Sequence, residues 1–132
     1  MAHPQPRGAQ SKRFFPRRGE IYLVALDPTV GHEIKKTRPA LVIQNDVSNE
    51  YSGTTIVVPI TSTLRLPWSP THIVILKGAP SGLDVTSVAL CEQMRVADRA
   101  RLMKHIGYLD PKLIPQLDEA IAITLALKHL RS

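Results

Sequence analysis

The chain has 132 residues, 43% of them apolar, and a formal net charge of +6, a size suited to one domain that removes roughly two-thirds of its unfolded surface from water. No run approaches the ~18 consecutive apolar residues of a membrane span, and the N-terminus lacks the apolar core of a secretion signal, so a cytoplasmic protein is expected. A single cysteine, Cys91, excludes an internal disulfide and fits a reducing compartment.

The charge is unevenly placed. Arg7, Lys12, Arg13, Arg17 and Arg18 all precede the first acid, Glu20, so residues 19–132 hold 12 basic and 11 acidic groups. The high pI therefore describes a tail more than a nucleic-acid-binding body. Residues 1–16, with Pro4, Pro6, Gly8 and Pro16 among basic and polar side chains, read as a flexible arm before a domain at 17–132. Such an arm is either an inert extension or an added attraction for phosphate that weakens with salt.

Gly19 to Leu26 predicts a first strand with both faces largely covered, and Asp27-Pro28 ends it. Thr29 to Thr37 is then a nine-residue loop carrying Gly31, His32, Glu33, Lys35 and Lys36, longer than a hairpin needs and therefore a candidate for function. Arg38 to Asp46 and Thr54 to Thr61 are rich in Val, Ile and Thr and predict two antiparallel strands, joined by a seven-residue polar loop from Val47 to Gly53. If the chain folds back about position 50, Arg38 and Thr61 fall opposite each other or one step apart, within about 5 to 8 Å at Cβ. Pro39 and Pro59 have no N–H for a ladder and belong at an edge, a strand start or a bulge.

Ser62 to Pro70 reads as irregular or a short helical turn, His72 to Leu76 as a fourth strand, and Leu83 to Val96 as one long fifth strand. In the alternation Val85, Ser87, Ala89, Cys91, the thiol is most simply a small buried side chain with no local His to activate it. Asp98 predicts the cap of a short helix, Arg99 to His105, before a brief strand from Ile106 to Leu109. Leu113, Leu117, Ile121 and Thr124 recur at helical spacing, and Pro115 places the regular helix at about 115–128 after a turn at 110–114. Five or six short antiparallel strands and a C-terminal helix make an α+β domain with a strongly curved or barrel-like sheet.

No Gly-rich phosphate loop of the P-loop or Rossmann type is present. His3, His32, His72, His105 and His129 have no paired metal spacing, and Cys91 stands alone, so neither a metal nor a cofactor is expected. The few aromatic residues do not form the paired signature of an RNA-binding sheet. What remains is the convergence of Glu33, Lys36, Arg38 and Thr61. A guanidinium on a stiff strand matches phosphate oxygens in pairs and stabilises charge building on a phosphoryl group. Thr61 can donate a second hydrogen bond or relay a proton, and Glu33 or His32 can take a proton from a hydroxyl. Without a metal to activate water, a substrate 2′-hydroxyl is the cheapest nucleophile, which points to RNA. On composition alone, Arg38 can equally be a salt bridge at the hairpin end and Thr61 a plain strand residue.

The same residues resemble a known family. Gly19-Glu20-Ile21, then Gly31-His32-Glu33-Ile34-Lys35-Lys36-Thr37-Arg38-Pro39-Ala40-Leu41-Val42-Ile43 and Val58-Pro59-Ile60-Thr61-Ser62 are similar to the MazF/PemK toxins of bacterial toxin–antitoxin pairs. Ser87 to Arg95 and Asp98 to Leu102 also fit, so the likeness runs from about 18 to 128. It implies an SH3-like barrel of the CcdB/Kid/MazF type, acting as a homodimer. It further implies a metal-independent endoribonuclease that cuts single-stranded RNA at short sequences. Attack by the 2′-hydroxyl would leave 2′,3′-cyclic phosphate and 5′-hydroxyl ends.

On this resemblance Arg38 and Thr61 match the catalytic arginine and threonine, and Glu33 the acidic position in a mobile substrate-gating loop with His32, Lys35 and Lys36. Ser62 lies in the matching strand end, while Glu92 and Gln93 match a segment lining the RNA groove. An antitoxin with a disordered acidic tail is the implied protein partner, competing for that groove. His32 departs from the serine of many relatives. The alternatives are a non-catalytic toxin that jams DNA gyrase, as CcdB does on a related fold, and an RNA-binding module without turnover.

Overall fold

Apolar side chains alternate between two faces of the first three strands, and this double-sidedness sets the architecture. The computed structural model describes residues 15–28, 30–33, 36–62 and 68–127, so most of the basic arm (1–14) lies outside the described residues. Strands β1 (Glu20–Ala25), β2 (Thr37–Val42) and β3 (Thr54–Thr61) are followed by β4 (His72–Ile75), β5 (Ser87–Leu90), β6 (Arg95–Asp98) and β7 (Leu102–Tyr108). All pairings are antiparallel. The order is β4-β5-β3-β2-β1-β7, with β6 also paired to β3. The path is open, compatible with the strongly curved sheet that the sequence predicts, and β3 is shared between β2, β5 and β6.

On one face, Ile21, Leu41, Val58, Ile60 and Ile73 pack with Leu117 and Ala120 of the C-terminal helix α2 (Ile114–Thr124). On the other, Val24, Ala40, Val42, Val57 and Ala97 form a smaller cluster. Leu117 is fully buried, and truncating such a leucine to alanine removes about 2–5 kcal/mol.

The β2–β3 ladder pairs Ala40 with Pro59, Leu41 with Val58 and Val42 with Val57. The fold-back centre therefore falls between Asn49 and Glu50, within the expected one residue. The link is not a polar loop, however. It contains a one-and-a-half-turn helix, α1 (Asp46–Tyr51), capped by Asn45, whose Oδ1 accepts from Ser48 N at 2.8 Å. Asn and Ser favour caps as much as loops, which is why their presence misled.

Neither proline sits on an edge strand. The bond from Ile43 N to Ile56 O fixes the hydrogen-bonded rungs at every second pair. The rung after Leu41/Val58 would need an N–H from Pro39, and the ladder stops at Ala40/Pro59. Pro59 lies where β3 changes its other neighbour, from β6 (last pair Val57/Arg95) to β5 (first pair Ile60/Ala89). The two prolines thus mark where the ladders break.

The expected long strand 83–96 is divided for the same reason. β5 and β6 serve different halves of β3, and a 3₁₀ turn at Cys91–Gln93 carries the chain between them. Asp98 does cap, accepting from Ala100 N at 2.8 Å, but only a single 3₁₀ turn, Arg99–Arg101. Residues 102–105 belong to β7 instead of a helix. As an edge strand with Met103, Lys104 and His105 exposed, it lacks the alternation that announces a strand. The C-terminal helix ends at Thr124, short of the expected 128, as Ala126 turns left-handed (φ 62°). Where the 78–82 turn packs on β7, Gly82 and Gly107 are required. A Cβ would stand 2.2 Å from Ile106 O in the first case and 2.3 Å from Ser81 O in the second.

Candidate active site

The site is built from the ends of β2 and β3, the loop before β2, and the turn between β5 and β6. Arg38 is the second residue of β2 and pairs with Val24. Thr61 is the last residue of β3, buried, and pairs with Val88. Carried two residues past its last pair, the Ala40/Pro59 register would bring Arg38 level with Thr61. Strand alternation puts both on the face of Ala40, Val57 and Pro59, away from the main core.

The loop is held at its root and shaped at its tip. Leu26 N donates to Lys36 O (3.1 Å), and Lys36 N to Asp27 Oδ1 (3.0 Å). Further out, Glu33 N donates to Val30 O (3.2 Å), and Glu33 Oε1 accepts from Val30 N (2.7 Å). One carboxylate oxygen of Glu33 thus shapes its own turn, while the exposed side chain faces solvent. His32 and Lys36 are exposed as well; Lys35 lies outside the described residues.

Glu33, Pro59, Glu92, Gln93, Met94 and Arg95 line one cavity. The loop acid is therefore brought against the Glu92–Gln93 turn, with Pro59, two residues before Thr61 on the same face, as common wall. Among the described residues, the lining does not include Arg38, Thr61, His32, Lys36 or Ser62, the last an exposed residue at the end of β3.

Glu92 is held from a distant strand. Its Oε1 accepts from Thr71 Oγ1 (2.8 Å), and its Oε2 lies 2.9 Å from His72 Nε2. Burial alone would push this carboxyl up. The bonds from His72, Thr71 and its own backbone, with the charge of His72, outweigh burial and hold it below its ordinary value. Glu92 is accordingly an acceptor at neutral pH. Neither Thr71 nor His72 was marked for this role in the sequence, because their partner is about twenty residues away and no local spacing announces it. Arg95, a further wall of the cavity, was marked only as a strand residue.

Cys91 is fully buried, and burial, then the neighbouring Glu92 charge, push its thiol up to about 12. It stays protonated and serves as core, as its place in the alternation suggests. Among the described residues, no three of His, Cys, Asp and Glu gather as a metal site would require. No helix among them is long and apolar enough to cross a membrane.

Comparison with known proteins now decides the family. Residues 17–125 match the model of the PemK-like, MazF-like toxins of type II toxin–antitoxin systems. The chain belongs to this family. It is 42% identical over 111 residues to the endoribonuclease EndoA of Bacillus subtilis (strain 168), covering 84% of this chain and 95% of that one. It is also 42% identical over 116 residues to the endoribonuclease MazF of Staphylococcus saprophyticus, covering 88% and 96%.

Among solved structures, the Mycobacterium tuberculosis toxin MazF-mt6 superposes with a TM-score of 0.69 at 28% identity, over 83% of this chain and 99% of that one. A mycobacterial endoribonuclease solved with its cognate antitoxin gives 0.71 at 20% identity, over 87% and 99%, a likeness of fold alone. The PemK/MazF match spans every strand and helix described above.

Proposed function

We propose that this toxin is an endoribonuclease that cuts single-stranded RNA at short sequences without a metal. The observation that supports the chemistry is the β2–β3 register, which, carried two residues past its last pair, would bring Arg38 level with Thr61 on the face of Pro59, a wall of the cavity of Glu33, Glu92 and Gln93. The relatives named endoribonuclease, 42% identical over more than four-fifths of the chain, support the reaction class.

In this reading the RNA 2′-hydroxyl attacks its own phosphodiester in line. Glu33 takes the hydroxyl proton, and Arg38 stabilises the charge building on the phosphoryl oxygens. Thr61 donates a second hydrogen bond to the same group. The bond from phosphorus to the 5′-oxygen breaks, and that oxygen takes a proton from water, leaving a 2′,3′-cyclic phosphate and a 5′-hydroxyl. Because Glu33 Oε1 already accepts from Val30 N, the other oxygen is the one assigned to the proton.

His32, Lys35 and Lys36 approach the backbone from the loop. Ser62, Glu92 and Gln93 contact the strand of RNA lying along the groove. The toxin works in the cytoplasm as a homodimer, and an antitoxin with an acidic, disordered segment competes for the groove.

Incubating the purified protein with a single-stranded transcript in EDTA, then mapping both ends of the fragments, tests this directly. Intact RNA, or cutting that stops with chelation, would sink the metal-free reaction. Growth arrest that persists in an Arg38→Ala/Thr61→Ala double variant would point instead to a toxin that acts by binding.

A further inference from the structure

The 27–36 loop opens where the β1–β2 ladder comes apart in a defined way. Val24 and Arg38 are paired, and Leu26 N to Lys36 O is half of the next hydrogen-bonded rung. In a regular ladder the reciprocal bond would run from Lys36 N to Leu26 O. Here Lys36 is left-handed (φ 70°) and gives its N–H to Asp27 Oδ1. The Leu26 carbonyl instead accepts from Arg95 Nη1 at 2.9 Å.

The other side of β1 runs out of partners at the same place. Its ladder with β7 stops at Val24/Leu102. The carbonyls of Ala25 and Asp27, on the side away from β2, lie past the last rung. Both accept from Arg101 Nη1, Ala25 O at 2.9 Å and Asp27 O in a second, shorter contact. Three consecutive carbonyls at the loop root are thus served by two guanidiniums from a separate part of the chain. Arg95 also lines the cavity of Glu33 and Glu92, whereas Arg101 is not in that lining.

We propose that Arg101 is a positioning residue for the RNA cleavage described above, an inference that rests on that reading. Its guanidinium, shared between the carbonyls of Ala25 and Asp27, fixes the loop root on the rungs that carry Arg38 and so sets where Glu33 stands. Both contacts come from one nitrogen, Nη1, whose two N–H bonds are held in the guanidinium plane, whereas an ammonium carries its three donors on a freely rotating stem. Reaction geometry is steep in this coordinate, since a displacement of about 1 Å can cost on the order of 100-fold in rate.

The test compares the full-length wild type with Arg101→Gln and Arg101→Lys. Three quantities are read: amide exchange by segment, single-turnover cleavage of a transcript, and binding of an oligonucleotide that carries 2′-deoxyribose at a mapped cut. For Arg101→Gln, exchange rises over residues 25–37 and not in β3 or α2. Cleavage falls about 10- to 100-fold while affinity stays within about two-fold, as expected of lost orientation. Arg101→Lys falls between, and carries the comparison if the glutamine variant does not fold.

Unchanged protection at 25–37 overturns the inference. So does a rate loss matched by lost affinity, or a loss that tracks global unfolding and disappears on cooling. If the wild type itself leaves RNA intact, the ribonuclease reading falls and Arg101 has no cleavage to position. The exchange data then still decide, independently, whether the clamp holds the loop root.

Discussion

Two connections leave β2, one at each end, and they are held in opposite ways. The β2–β3 connection is anchored through its middle. Asn49 is fully buried in α1, its Oδ1 accepting from Thr55 Oγ1 (2.6 Å) and Gln44 Nε2 (3.0 Å), and its Nδ2 donating to Gln44 O (2.8 Å). Among the described residues, the β1–β2 connection is anchored at its root, by the Arg95 and Arg101 contacts and the Lys36 bonds, and its tip residues Gly31, His32 and Glu33 are all exposed. A satisfied polar network in a low-dielectric setting rigidifies its surroundings; a turn exposed to water leaves its side chains available to a ligand. One end of β2 fixes the register, and the other presents groups along it.

The contrast predicts that variants at the two ends fail differently. At the open end, Arg38→Ala should lower cleavage about 100- to 1,000-fold, the usual cost of one donor to a developing charge. The thermal midpoint should shift little. A retained rate measured by single-turnover assay would remove Arg38 from the chemistry. At the closed end, Asn49→Ala leaves the Thr55 hydroxyl and the Gln44 groups without their buried partner, and should cost about 1–3 kcal/mol of stability. Denaturant unfolding reads that loss, and cleavage per folded molecule should be unchanged. Equal effects on rate and stability at both ends would erase the distinction.

The sequence was most informative where burial and strand period coincide. Ile21, Leu41, Val58 and Ile60 alternate with residues of the second cluster, and that pattern announces the first three strands and the β2–β3 register as far as Ala40/Pro59. It was least informative where structure depends on a distant partner. Leu102–Tyr108 is a strand because β1 offers it an edge, and Thr71 and His72 matter because Glu92 returns beside them. The split of 83–96 follows from β3 changing neighbours at Pro59, an event that the 83–96 stretch alone does not encode. The helix α1 was missed for a local reason, since a capping Asn and a buried Asn look alike in a list of polar residues.

A smaller effect separates the cap from the network in the closed connection. Asn45→Ala removes only the acceptor for Ser48 N and should cost about 1 kcal/mol, less than Asn49→Ala, by the same denaturant measurement. If the cap proves the more costly of the two, α1 rather than the Asn49 network fixes the connection.

The smallest expected effect concerns pH at the open end. The Glu92 carboxyl lies below its ordinary value of 4.5 in the folded protein, against the upward push of burial, because His72 and Thr71 hold its ionised form. A depressed folded value means that the carboxylate's contribution is complete above the unfolded pKa. The contribution fades as pH falls below about that value and through the folded pKa. Glu92 is substantially exposed (44% of its side chain), so solvent screening keeps the contribution modest. Glu92→Gln should therefore flatten the acid limb of the stability–pH profile below 4.5 and narrow the gap between variant and wild type as pH falls there. Arg38→Ala should leave that limb unchanged. A Glu92→Gln profile parallel to the wild type throughout that range would show that the pairing with His72 and Thr71 does not tie the cavity wall to β4. The rigid side of the cavity would then have to come from the Cys91–Gln93 turn itself.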